Sequence, residues 1–104
     1  MPVVVVATMK AKPESVDAVR EILKRAVAEV HSEPGCQLYA LHESDGTFIF
    51  VEQWADPQAL QTHSTAPAVT GMFKDVGDHL AEPPDIKMAQ PIPVGEPAKG
   101  QLVR

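Results

Sequence analysis

Two runs of consecutive apolar residues, stripes of apolar side chains at helical spacing, and an Asp45-Gly46 pair between two strand-like stretches predict an α+β domain built on one antiparallel sheet. The runs are Val3-Val4-Val5-Val6 and Phe48-Ile49-Phe50-Val51. The second leads into Glu52, Trp54 and then His63. Only there can an apolar wall, an indole, a carboxylate and a titratable imidazole converge on a small molecule.

Residues 3–9 are continuously apolar and β-branched, the pattern of a strand covered on both faces. Lys12-Pro13-Glu14-Ser15 opens a helix, since proline and an acid suit the end where N–H groups are free and the dipole is positive. Val16, Val19, Leu23, Ala26, Val27 and Val30 recur along one stripe of it, and Glu33-Pro34-Gly35 stops it. A hairpin follows: residues 37–42, a turn at 43–46 in which Asp-Gly accepts positive φ, and residues 47–54 returning. Asp56-Pro57 caps and starts a short helix to about Ser64, and Thr65-Ala66-Pro67 starts another with Val69, Met72, Phe73, Val76 and Leu80 inward. Glu82-Pro83-Pro84 ends it, and residues 85–89 form a last strand. This makes residues 1–90 a single domain. Residues 91–104, with Pro91, Pro93, Gly95 and Pro97, form an extended tail without a core, able to pack on a partner subunit.

The resulting order, β-α-β-β-α-β with the second helical unit broken in two, is the ferredoxin-like arrangement, in which the first and third strands are central. The two strands with unbroken apolar runs are those two. Helices cover only one side of such a sheet, so the other apolar face is expected to meet a second copy, giving a homodimer with facing sheets, a dimeric α/β barrel.

Composition narrows the function. With 104 residues, 44% of them hydrophobic and 22% charged, the chain suits one soluble domain. No stretch approaches the roughly 20 apolar residues that span a bilayer, and the start lacks a signal-peptide pattern, so a cytoplasmic protein without membrane contact is expected. One cysteine, Cys36, allows no internal disulfide and no thiolate zinc site; it reads as a buried small hydrophobe. A net charge of −5 argues against nucleic acid. His31, His42 and His79 read as solvated, and no His/acid spacing matches a metal triad. No dinucleotide, P-loop or haem-attachment motif occurs, so no cofactor is expected.

Lys10-x-Lys12-Pro13, Ser32-Glu33-Pro34-Gly35-Cys36-x-Leu38-Tyr39 and Glu52-x-Trp54-x-Asp56-x-x-Ala59-x-x-x-His63 resemble the successive landmarks of the antibiotic biosynthesis monooxygenase family. The resemblance covers roughly residues 3–90. It implies a ferredoxin-like subunit, a dimer, and oxygenation of an electron-rich aromatic such as a quinol or anthrone by O₂ without metal or flavin. The family also holds haem-degrading enzymes and an isomerase-type activity. Many relatives carry a Pro-His pair where this chain has Ala66-Pro67-Ala68. The haem-degrading branch uses an Asn near the end of its first strand; here no Asn occurs, and Ala7 and Thr8 stand in that neighbourhood, which argues against haem degradation.

Each candidate has a structural reading beside its functional one. His63 is a base or acid, or a histidine that bonds a carbonyl or carboxylate across the fold. Glu52 shares strand parity with Phe48, Phe50 and Trp54; it is preferentially a structural ion-pair member, for instance at the dimer interface, and otherwise a tuned acid/base. Trp54 packs, stacks on an aromatic substrate or donates its N–H. Phe50, Tyr39, Met72 and Phe73 are core or pocket lining, and Thr8 and Tyr39 are hydroxyl donors if they reach the cavity. Oxygenation without a cofactor requires a substrate that supplies electrons once deprotonated, with His63 as the base. Two other functions fit the same residues: an isomerase shuttling protons on a small carbonyl metabolite through His63 and Glu52, and a non-catalytic dimeric ligand-binding or stress module.

Overall fold

The computed structural model describes residues 1–103. Four strands, β1 (Val3–Lys10), β2 (Cys36–Ser44), β3 (Thr47–Trp54) and β4 (Asp85–Ala89), form one antiparallel sheet in the order β2-β3-β1-β4. The helices are α1 (Val16–Val30), α2 (Pro57–Ser64) and α3 (Pro67–Val76). The chain is therefore an α+β protein of the ferredoxin-like type, with β1 and β3 central.

Register decides what each face carries, because directly opposed residues point the same way. Val5 lies opposite Glu52, Ala7 opposite Phe50 and Met9 opposite Phe48; Tyr39 opposes Glu52 from the other side. All of these are buried, and they form the face under the helices with Trp54. The alternate residues make the outer face: Val4, Val6 and Thr8 of β1 beside Gln53, Val51 and Ile49 of β3. Val6 is exposed there, so the first strand is buried on one face of the single chain rather than on two.

The helices bury the stripes their spacing dictates, with adjustments at the ends. Val19, Leu23, Ala26 and Val30 of α1 are buried, whereas Val16 and Val27 flank the contact half-buried. Each fully buried Val or Leu contributes about 1.5–3 kcal/mol. In α3, Val69, Met72 and Val76 are buried while Phe73 is half-buried; Leu80 lies beyond the helix, bridging to Ala11. Pro13–Ser15 forms a single 3₁₀ turn before α1 instead of its first α-turn. Proline there fits because its absent N–H lies among groups that have no intrahelical partner.

The hairpin is longer than the sequence indicates. Its strands continue to Ser44 and resume at Thr47, leaving Asp45 (φ 49°) and Gly46 (φ 83°) as a two-residue turn with both φ positive. Cys36 is half-buried, not buried, beside a bulge between Cys36 and Leu38. Asp56 accepts from the N–H of Ala59 at 2.8 Å and so caps α2, with Pro57 in the first helical position. No helix among the described residues is long and apolar enough to cross a membrane. After Ala89 the described residues carry no helix or strand, only a turn in which the N–H groups of Lys99 and Gly100 donate to the Glu96 carbonyl.

Candidate functional site

Between the sheet and the pair α2/α3 lies a cavity of about 190 Å³. Its floor is Val5, Ala7 and Met9 with Phe50, its helix side Leu60, Val69, Met72 and Phe73, and its edge Ile86 of β4. Three polar side chains, Tyr39, Glu52 and His63, stand in this apolar lining with Ser64 at the margin. A groove of about 740 Å³ between α1 and β2 is larger but open, with Lys24, Val27 and Leu38 among its walls. Among the described residues the buried titratable side chains Tyr39, Glu52 and His63 come together at the smaller cavity, which makes it the candidate site.

His63 is the penultimate residue of α2 and is 5% exposed. Its Nδ1 donates to Glu33 Oε1 at 2.7 Å. Glu33 sits in the turn after α1, and its other oxygen is buried without a partner among the described residues. A carboxylate can only accept, so Nδ1 is the donor to Glu33, and Nε2, which has no protein partner among the described residues, is the ring nitrogen left for another group. The ring is held further by the Trp54 indole, centroids 4.3 Å apart at 31°, and by the edge of Tyr39 at 5.5 Å.

Glu52 comes from the helix face of β3 and is 4% exposed. Burial raises its pKa, the Trp54 hydrogen bond and His63 pull it back, and Glu33 adds to the rise. It forms no ion pair among the described residues. Its partner is the indole, since Trp54 Nε1 donates to Glu52 Oε1 at 3.0 Å. The ion-pair expectation is thus replaced by a carboxyl whose charge is disfavoured and whose second oxygen has no partner among the described residues. Burial likewise raises the Tyr39 hydroxyl's pKa, with Glu52 and Glu33 adding to it.

Tyr39, Phe50, Met72 and Phe73 line the cavity beside Glu52 and His63. Two expected residues lie elsewhere. Thr8 is on the outer face, in register with Ile49 and Asp85, because side chains alternate along β1 and Ala7 and Met9 take the inner positions. Trp54 is fully buried behind the cavity rather than part of its wall; it orients Glu52 and stacks on His63. Glu33 escaped sequence reasoning as a site residue. It lies 30 positions from His63, beyond any local periodicity, and its one signal was its place in the Ser-Glu-Pro-Gly landmark. The remaining histidines bond outside the cavity: His31 reaches the Tyr39 carbonyl, His42 that of Ile49, and His79 the Ser15 hydroxyl. Among the described residues no three His, Cys, Asp or Glu side chains converge in a way that could hold a metal ion.

Fold and cavity define a small ferredoxin-like protein whose two layers enclose a pocket lined by Tyr39, Glu52 and His63. The chain belongs to the antibiotic biosynthesis monooxygenase family, whose model matches residues 2–75. It is 31% identical over 90 residues to protein sll1783 of Synechocystis, covering 84% of this chain and 61% of that one. The chain thus spans somewhat under two thirds of that relative. It is 28% identical over 93 residues to Rv0793 of Mycobacterium tuberculosis, covering 88% of this chain and 92% of that protein. The solved structure of Rv0793 superposes with a TM-score of 0.85 at 26% identity, over 92% of this chain and 100% of the other. PA3566 of Pseudomonas aeruginosa gives 0.78 at 27% identity, over 85% and 91%.

Proposed function

We propose that the protein is a monooxygenase that uses O₂ to hydroxylate a small electron-rich aromatic, a quinol or anthrone-like phenol, in the cavity between the sheet and α2/α3. The observation that supports this reading is the convergence of His63 and Glu52, a carboxyl whose pKa burial raises, in a largely apolar chamber of about 190 Å³. That space suits a one- or two-ring aromatic.

His63, with Nδ1 fixed by Glu33, takes the phenolic proton. The phenolate is electron-rich enough to reduce O₂, and a C–O bond forms at the adjacent ring carbon. The O–O bond then breaks, one oxygen staying on the ring and the other leaving as water after receiving a proton from Glu52. For a quinol the balance is quinol + O₂ giving hydroxyquinone + H₂O: two electrons come from the quinol-to-quinone change and two from conversion of C–H to C–OH. The apolar lining keeps water from the reduced oxygen species, and Tyr39, another lining residue, donates its hydroxyl to it. The chain functions as a homodimer, the outer face with Val4, Val6, Ile49 and Val51 meeting its copy.

Consumption of a model naphthoquinol with and without O₂ tests the reading, in wild type and in His63→Ala. The expected result is oxygen-dependent formation of hydroxyquinone, slowed roughly 100-fold or more in the variant. Turnover of a carbonyl substrate without O₂ would instead support the isomerase alternative. A wild-type rate in His63→Ala would remove the proposed base.

A further inference from the structure

The last strand of the sheet is exposed along its whole length, so the helix layer stops short of it. The outer side of β4 is polar and self-paired: Asp85 and Lys87, opposite Thr8 and Val6, form an ion pair at 3.1 Å. Its helix side is apolar and bare. Ile86 opposes Ala7 and Met88 opposes Val5, both of them floor residues of the cavity, so Ile86 and Met88 stand on the inner face of the sheet. They are 50% and 68% exposed, whereas Val5 and Ala7 one strand away are buried.

The cavity opens onto this apolar strip. Of its lining residues only Ser64 and Ile86 are exposed, which puts the mouth between the end of α2 and β4, with Leu60 and Phe73 half-buried beside it. The rim offers little to a polar group, because the Ser64 hydroxyl donates back to the Leu60 carbonyl at 2.9 Å. One row of side chains runs from the polar end of the chamber to the strip. Tyr39, Glu52, Val5 and Met88 are successive register partners across β2, β3, β1 and β4. At ~4.8 Å per strand, Met88 stands about 10 Å from Glu52 along this row, and Ile86 roughly 7 Å from Met88 along β4.

A ring held beside His63 and Glu52 occupies the closed end of a chamber of about 190 Å³. A long substituent on that ring leaves through the mouth, where the first surface it meets is the hydrocarbon of Ile86 and Met88. An aliphatic chain laid there removes apolar surface from water on both partners, and a polar one does not.

We propose that the substrate is an aromatic carrying an aliphatic chain, and that Ile86 and Met88 form the subsite on which the chain lies. This names the substrate class of the candidate site and rests on the reading of that site as the place of the aromatic ring. A methylene on the strip is covered on one side only, so each adds roughly twofold to affinity, against about fourfold for full burial.

The comparison of 2-methyl- with 2-pentyl-1,4-naphthoquinol, both of which keep a hydrogen on the neighbouring ring carbon, tests the subsite through kcat/KM. The corresponding naphthoquinones test it without turnover, by quenching the fluorescence of Trp54, the chain's one tryptophan, which stacks on His63. The pentyl compound is expected to be preferred roughly tenfold in both measurements. Met88 is mostly exposed, so Met88→Gln keeps the fold, and it should cut the preference to about two- to threefold. Lys87→Gln, on the outer side of the same strand, should retain it. Equal affinity for methyl and pentyl compounds, or a preference that survives Met88→Gln, overturns the subsite. Oxygen-dependent turnover of the methyl quinol with no gain from the chain overturns the subsite alone, whereas chain-dependent quinone binding without oxygen-dependent turnover overturns the monooxygenase reading and leaves the subsite standing. A dimer that Met88→Gln converts to monomer in light scattering, with the chain preference unchanged, assigns the strip to a second copy and overturns the proposal.

Discussion

Gly35→Ala isolates the contact that sets α2, and with it His63, against the sheet. Gly35 has φ +79°, and a Cβ placed on it would lie 2.5 Å from the Cβ of Ala59 in the first turn of α2. Its carbonyl also accepts the Ala55 N–H at 2.9 Å, just before the Asp56 cap. The backbone conformation alone costs an alanine about 1–2 kcal/mol. Displacing a helix that starts on a rigid methyl adds about 1–3 kcal/mol, the usual range for overpacking. Urea unfolding of Gly35→Ala should therefore show a loss of roughly 2–5 kcal/mol, together with weaker packing of Trp54 on His63 read from indole fluorescence. The companion Ala59→Gly removes the struck methyl at a propensity cost of up to about 1 kcal/mol. In Gly35→Ala/Ala59→Gly the steric part returns and the φ part does not, so the two sites couple favourably by about 1–3 kcal/mol. If the double variant is only the sum of the singles, within about 0.5 kcal/mol, the close approach of Gly35 to α2 is not what the turn glycine provides.

Three further outcomes follow from the same geometry. Glu52 has a folded-state pKa above its ordinary 4.5, so the folded protein binds more protons, and this residue's favourable contribution is present at acid pH and lost as pH rises from about 4.5 through the raised value. Glu52→Gln keeps an acceptor for the indole and removes the desolvated charge; its Tm relative to wild type should increase with pH through that window while activity falls, and a constant Tm difference from pH 4 to 8 would contradict the assignment. Glu33→Leu removes the acceptor that fixes the His63 tautomer and should lower kcat roughly 10- to 100-fold with little change in KM, while Glu33→Gln retains more of the rate; equal losses in both variants would reduce Glu33 to a packing role. Asp56→Ala deletes the cap of α2 and should cost about 1 kcal/mol in urea unfolding, and no loss would mean that Pro57 alone starts the helix.

The sheet order and the helix stripes were legible because they depend on local period: alternation in β3, a 3.6-residue repeat in α1, and the turn chemistry of Asp45-Gly46. Strand parity likewise placed Glu52 and Phe50 on one face. Thr8 was misplaced because a run of β-branched residues does not announce which parity faces inward; that is settled by the register with β3, where Ala7 opposes Phe50. Strand parity puts Trp54 on the cavity's face of β3 but does not show that its indole lies outside the lining, its N–H taken by Glu52 two residues away. The Glu33–His63 bond joins a turn to a helix 30 residues further along the chain, and no pattern within either segment encodes it.

Ala7 bears on what the cavity can admit. It stands in the central strand opposite Phe50 and Ile86, and it is the smallest side chain on the cavity floor. Its single methyl, on a central strand, leaves room in the floor at a point remote in sequence from Glu52 and His63 alike. A bulkier residue at that one position would shrink the chamber without touching Glu52 or His63, so the size of the cavity and its titratable groups can be varied independently on this scaffold.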